Sequence, residues 1–218
     1  MARRKAGEAA PATGSAAPGR ARLVPTQQRS RERFERILAC AAEVMAEKGS
    51  EAFRMSDIVE RTGVPFGSLY QYFPDKTAII ATLAERYNAI GRDCVARDLA
   101  AVARPRDLHP ALCRITDSYY RMFIDEPVMR DIWQATQADR ALQQLDAEDT
   151  AFLTGLLSAA LERIAPDAGK PIAAFSQLMM TLIAAAVRHA ITLDPAEAER
   201  FLALFKRMLP RSVAALKA

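Results

Sequence analysis

The sequence predicts an all-α protein, in which an N-terminal three-helix helix-turn-helix domain is joined by a long helix to a larger helical domain. Three observations predict it. Apolar residues recur three and four positions apart through most of the chain beyond residue 25, the spacing that lines one face of a helix. Residues 53–75, FRMSDIVERTGVPFGSLYQYFPD, read as two short helices about a tight glycine turn. No segment shows a strand's alternation strongly enough to compete. With 218 residues, of which 50% are hydrophobic, the chain can hold a small first domain and a larger second one with a substantial core.

Residues 1–24 read as a disordered basic arm. From 6 to 19 every residue except Glu8 is Ala, Gly, Pro, Ser or Thr, a composition that buries too little apolar area to offset the entropy of ordering. Arg3, Arg4, Lys5, Arg20 and Arg22 stand against Glu8 alone, so the arm carries the whole net charge of +4. No continuous hydrophobic segment follows the basic start, as a signal peptide would need. Such a tail either touches phosphates or the minor groove, or is simply solvated.

Residues 25–76 form the helix-turn-helix domain. Its first helix is expected from 26 to 48, with Phe34, Ile37, Leu38, Ala41, Ala42 and Met45 on one face and Gly49 ending it. Met55, Ile58 and Val59 give the second helix an apolar side, Gly63 supplies the positive φ of the turn, and Val64 tucks inward. Pro65 suits the first turn of the third helix, and Leu69 and Phe73 supply its inward stripe. Ser68, Tyr70, Gln71 and Tyr72 are then expected to face outward, a polar and aromatic surface suited to phosphates and base edges. Acidic and basic residues balance within this domain. Its cations matter by position, with Arg29, Arg31, Arg33 and Arg36 gathered at the start of the first helix.

Residues 77–218 form the larger domain. The fourth helix opens after a capping Asp75 and passes Ile79, Leu83, Tyr87 and Ile90 towards the break at Pro105. Further helices are expected at 110–124, 127–138, 146–164, 172–193 and 195–216. The last is signalled by Asp194 as cap, Pro195 in the first turn and Glu197 at the third position, with Pro210 expected to kink it. Its apolar arc is too wide for one packing partner. Leu182, Ala185, Phe201, Leu204, Phe205 and Met208 are the residues expected at an intersubunit four-helix bundle, the competing reading being an intramolecular core.

The segment GVPFGSLYQYFPDK resembles the recognition segment of the tetracycline-repressor (TetR) family of bacterial transcription regulators, with its glycine-valine turn, leucine-tyrosine pair, aromatic-phenylalanine pair and lysine. The resemblance extends upstream through RERFERILACAAEVMAEKG and downstream into TAIIATLAERY, while the remainder is similar in layout only. It implies a homodimer that binds a pseudo-palindromic double-stranded DNA operator and is released by a small-molecule effector. Position by position, it places Phe66, Gly67, Ser68 and Tyr70 near the bases and Tyr72 and Lys76 on phosphates. The chemistry agrees: Ser68 donates or accepts, Phe66 can pack on a thymine methyl, Gly67 permits close backbone approach, and Gln71 matches an adenine edge. One position departs. Where many members cap the second helix with threonine, this chain has Arg54, with Ser56 two residues on, so either a charged phosphate contact replaces the hydroxyl one or Arg54 is simply solvent-exposed.

By the same resemblance, an effector would bind among Tyr119, Tyr120, Met122, Phe123, Met129, Trp133, Phe152, Phe175, Met179 and Met180. An adaptable apolar and methionine wall of that kind suits a hydrophobic or amphipathic molecule, although such residues at helical spacing also serve as core. Asp117, Arg121, Arg188 and His189 are the polar groups available to orient it. A repressor is expected; an activator with the same head, or a small-molecule-binding helical protein whose motif serves packing alone, is the alternative.

Other classes find little support. His109 and His189 lack metal-ligand partners, no glycine loop cradles phosphate, and no catalytic constellation is visible, so neither enzyme activity nor a cofactor is expected. Cys40, Cys94 and Cys113 are odd in number and scattered, which fits reduced thiols in a cytoplasmic protein. The longest apolar stretch, LMMTLIAAAV from 178 to 187, is about half of the roughly 20 residues that cross a bilayer, so no membrane span is expected.

Overall fold

The computed structural model describes residues 28–169 and 171–213. The expected arm at 1–24 lies outside these residues, as do the expected start of the first helix and residues 214–218. Among the described residues there are nine α-helices and no strand: α1 Gln28–Ala52, α2 Met55–Thr62, α3 Phe66–Tyr72, α4 Lys76–Ala100, α5 Leu108–Asp125, α6 Val128–Ala138, α7 Arg140–Ile164, α8 Pro171–Ala190 and α9 Pro195–Met208. Short 3-10 turns at Pro105–Asp107 and Pro166–Ala168 lead into α5 and follow α7.

Three apolar cores hold these helices. The first is built on Ile37, Leu38 and Met45 of α1, Ile58 of α2, Leu69 of α3 and Ile79 of α4, and it continues into Val128 and Ile132 of α6 and Leu142 of α7. The head is therefore not closed at residue 76. Its core borrows a wall from the larger domain. The second core joins α4, α5, α7 and α8 through Leu99, Leu112, Leu157, Leu161, Met180 and Ile183, and the third joins α5, α8 and α9 through Phe123, Val187 and Leu202.

Several boundaries differ from expectation for local reasons. Gly49 leaves the helical path at φ 81° and ψ 157°, but a last turn resumes after it, so the glycine bends α1 where it was expected to end it. Helix α7 begins six residues before the expected 146, because Asp139 accepts hydrogen bonds from the amides of Ala141 and Leu142 at 2.8 and 3.2 Å. The fourth helix is capped as read, with Asp75 accepting from the Ala78 amide at 2.8 Å. Helix α9 opens as read on Asp194 but stops at Met208. Leu209 is already extended, since a residue before proline is driven out of the α region, so Pro210 ends the helix and does not kink it.

Helix α8 also corrects the estimate of apolar length. At 20 residues with mean hydropathy 1.4, it is long and apolar enough by length and composition to cross a bilayer. It lies instead between α5, α7 and α9, with Ser176 wholly buried against them.

Candidate nucleic-acid interface and effector cavity

The head is assembled from α1, α2 and α3. Asp57, in the first turn of α2, accepts the Arg54 amide at 2.9 Å and the Lys48 ammonium at 2.8 Å. The Lys48 hydrogen bond, and after it the Arg54 amide, hold its carboxyl below the usual range. Asp57 thus makes only the returning half of a capping box, satisfying the Arg54 amide; the Asp57 amide, which a threonine hydroxyl would accept, instead lies 3.1 Å from the Arg54 carbonyl, and the exposed Arg54 guanidinium, a donor only, cannot cap it. Ser56, in the same turn, is half-buried. The turn itself is as read: Gly63 sits in the left-handed region at φ 66°, its amide bonds the Val59 carbonyl at 2.9 Å, and Val64 is buried.

Helix α3 presents two faces. Leu69, Tyr72 and Phe73 are buried, with the Phe34 ring stacked on Phe73 at 5.0 Å and edge-on to Tyr72 at 5.9 Å. On the other face Phe66 and Tyr70, 47% and 41% exposed, stack at 6.1 Å, with Gly67 and Gln71 also exposed between and beyond them. Tyr72 is therefore a correction. Expected outward on a phosphate, it is 3% exposed, and its hydroxyl is 2.7 Å from Ser30 Oγ. The signal was in the spacing, because residues 69, 72 and 73 stand at i, i+3 and i+4 and must share a face.

Two cations complete the surface differently from expectation. Arg33 of α1 donates to Ser68 Oγ at 3.2 Å, which brings a guanidinium beside the exposed face of α3; the sequence places it only in a general basic cluster. Lys76 is half-buried, and its ammonium lies 3.4 and 3.3 Å from the Ser50 and Glu51 carbonyls, where it ties the start of α4 to the end of α1.

A cavity of about 100 Å³ lies between α4, α5, α7 and α8, with Met129 of α6 at one side. Its apolar wall includes Val95, Ile115, Met122 and Met180, and its polar wall includes Asn88, Ser118, Tyr119 and Thr150. Asp146, Asp149 and Arg188 also line it. Arg188 bonds Asp146 at 2.6 Å, and Arg92 bonds Asp149 at 2.6 Å. Burial raises the Asp149 carboxyl above its usual range in spite of Arg92, and burial followed by a bond to Glu126 pushes the Tyr87 hydroxyl up to about 12. A smaller adjoining pocket shares Tyr119, Met129, Asp146 and Arg188 and adds Phe123 and Trp133.

Of the expected effector residues, Tyr119, Met122, Met129 and Met180 line the larger cavity, and Phe123 and Trp133 the smaller. The others do not. Phe152 is 51% exposed beneath the Arg92 guanidinium, Phe175 and Met179 pack in the second core, and Tyr120 packs on the third. On α7 the cavity face is 146, 149, 150 and 153, at i, i+3, i+4 and i+7, and Phe152 falls off it. That face presents Asp146, Asp149 and Thr150 with Leu153, and no aromatic ring.

The outer faces of α8 and α9 leave Leu182 (41%), Leu204 (51%) and Met208 (76%) exposed, with Ala185 beside them on the open side of α8. Phe201 and Phe205 are only partly available. Phe201 packs edge-on against His189 at 5.0 Å, and Phe205 against the second core.

An exposed aromatic and polar helix face on a small three-helix head, with a cavity-bearing helical domain behind it, defines a two-domain helix-turn-helix protein. The model of the tetracyclin repressor-like C-terminal domain matches residues 106–216, and that of the tetR family of bacterial regulatory proteins matches residues 37–83. The chain belongs to the TetR family. Among similar curated proteins, the uncharacterized HTH-type transcriptional regulator YvdT of Bacillus subtilis is 43% identical over 53 residues, or 24% of this chain and 27% of that protein. The HTH-type transcriptional repressor KstR of Mycolicibacterium smegmatis is 36% identical over 63 residues, or 29% of this chain and 28% of that protein. The chain thus spans little more than a quarter of these relatives' length. A TetR-family regulator from Pectobacterium atrosepticum shares the fold at TM-score 0.65 and 19% identity, covering 85% of this chain and 96% of its own.

Proposed function

We propose that the protein is a dimeric transcriptional repressor that binds a pseudo-palindromic operator and leaves it when a small molecule fills the cavity between α4, α5, α7 and α8. The observation that carries the first half is the exposed Phe66–Tyr70 stack beside Arg33 on a helix whose opposite side is locked by Leu69, Tyr72 and Phe73. A rigid helix with one open aromatic and polar face is suited to the major groove. Gly67 supports the same reading. A Cβ there would meet nothing within 4 Å, so the protein's own packing does not require glycine, whereas close approach to DNA would. Ser68 and Gln71 would supply hydrogen bonds to base edges, and the exposed Arg54 and half-buried Ser56 are the candidates for phosphates, while Lys76 would reach one only by leaving the Ser50 and Glu51 carbonyls.

Footprinting on the region upstream of its own gene tests this. A protected inverted repeat is expected, and Phe66→Ala or Tyr70→Ala should each cost about 1–3 kcal/mol of specific binding while leaving nonspecific binding in place. Protection without symmetry, or binding indifferent to both substitutions, would defeat the proposal. The release step is read in the same assay as loss of the footprint when ligand is added.

A further inference from the structure

The charged groups around the cavity are already matched, and this bears on what can enter it. Asp146 is taken by Arg188 and Asp149 by Arg92, each at 2.6 Å, so two carboxylates meet two guanidinium groups. A buried cation would have to share a carboxylate that an arginine holds, and a buried anion would have to share an arginine. Either leaves one group of a partly desolvated pair uncompensated, which is costly. The neutral groups are in the opposite condition. Asn88 of α4, Ser118 of α5 and Thr150 of α7 line three walls of the cavity, and their side chains make no hydrogen bond to any described residue. In the adjoining pocket the Trp133 Nε1 donor is shut away from solvent without a partner. Asn88, Ser118 and Thr150, half-buried, can exchange water for a neutral ligand group without disturbing an ion pair, and the enclosed Trp133 donor lacks even that water.

We infer that the effector is an uncharged amphipathic molecule: a hydroxyl, carbonyl or amide group held by Asn88, Ser118 and Thr150, and an apolar body lying against Val95, Ile115 and Met180. The inference rests on the cavity being the effector site, as proposed above. It selects among ligands by charge, because the Arg92 and Arg188 ion pairs stay intact only when the head group is neutral.

The test uses the full chain and three probes that share one tail: octan-1-ol, octylammonium and octanoate. Binding is measured by calorimetry and by the emission of Trp133, the only tryptophan. The alcohol should bind about tenfold tighter than either ion, or more. Thr150→Val, which removes a hydroxyl at nearly constant volume, should narrow that advantage. Asp146→Asn, which frees Arg188, should raise the affinity for octanoate by about tenfold. Gly91→Leu separates the two ways of failing, since a Cβ at Gly91 meets nothing closer than Met122 Sδ at 4.0 Å and the added side chain would occupy the cavity. If an ion binds as tightly as the alcohol, and Gly91→Leu abolishes that binding, the cavity is the site and the uncharged-ligand inference is wrong. If no probe binds, or Gly91→Leu leaves binding unchanged, the effector-cavity reading itself falls and the inference falls with it.

Discussion

Tyr72 shows how one hydroxyl changes a reading of the head. On the recognition helix of a DNA-binding domain an aromatic ring next to Gln71 suggests a phosphate contact, yet this ring is packed on Phe34 and its hydroxyl is engaged with Ser30 of α1. The contact orients α3 against α1 from the protein side. Tyr72→Phe should therefore lower stability by about 0.5–1.5 kcal/mol in urea unfolding, the net worth of one hydrogen bond, and leave the salt dependence of operator binding as in the wild type. A shallower salt slope would instead return Tyr72 to the phosphates. Ser68 and Arg33 make the complementary point, because the guanidinium that shares the reading face comes from a residue 35 positions earlier. Periodicity identifies faces within one helix; it does not say which neighbour's side chain reaches across.

At the scale of elements, the joint between α1 and α6 connects the head to the larger domain. Val128 and Ile132 of α6 close the core of the head, while Met129 and Trp133 of the same helix line the two pockets. A helix of 11 residues thus touches both the core of the head and the two pockets. At the joint, Asp131 lies beside the bend in α1, with its Oδ1 3.7 Å from the place a Gly49 Cβ would take. Burial raises the Asp131 carboxyl above its usual range, against the opposing pull of the Ser50 amide. A carboxyl raised in this way holds its proton more tightly folded than unfolded. Its stabilising contribution is complete below the unfolded value and is lost as pH rises through the raised one. Asp131→Asn should accordingly gain on the wild type as pH climbs from about 4 towards neutral, read as the difference between urea midpoints. A difference that stays constant with pH would show that Asp131 is solvated at the joint. Gly49 is legible in the sequence as a break, expected to end the helix, but neither the turn that resumes after it nor its partner on α6 is, because nothing local to either segment announces the other.

For the whole molecule the open question is how two heads are held at a fixed separation. Proteins of this family bind DNA operators and act as dimers. In this chain Leu182, Leu204 and Met208 stand exposed on α8 and α9, and we propose this apolar surface as the one that meets a second copy. Phe201 and Phe205, half-buried within the chain, contribute their edges at most. Leu204→Glu combined with Met208→Glu should convert a dimer to a monomer in sedimentation velocity and weaken operator binding with it, since both half-sites are then no longer engaged together. A dimer that survives both charges would place the interface elsewhere. The cavity walls α7 and α8 are also the most extensively packed helix pair among the described residues.

The sequence by itself determined the all-helical class, the glycine turn, the capped start of α4 and the outward placing of Tyr70 and Gln71 on α3. These depend on spacing and on backbone chemistry within a few residues, which a chain carries wherever it is placed. Only the tertiary structure decided that Tyr72 turns inward, that Arg33 joins the reading face, that α6 serves both head and cavity, and that polar residues rather than Phe152 look into that cavity. Each depends on which of several similar apolar or charged groups meets a partner many residues away. That choice is made by packing the helices together, where burial and pairing are settled jointly across elements.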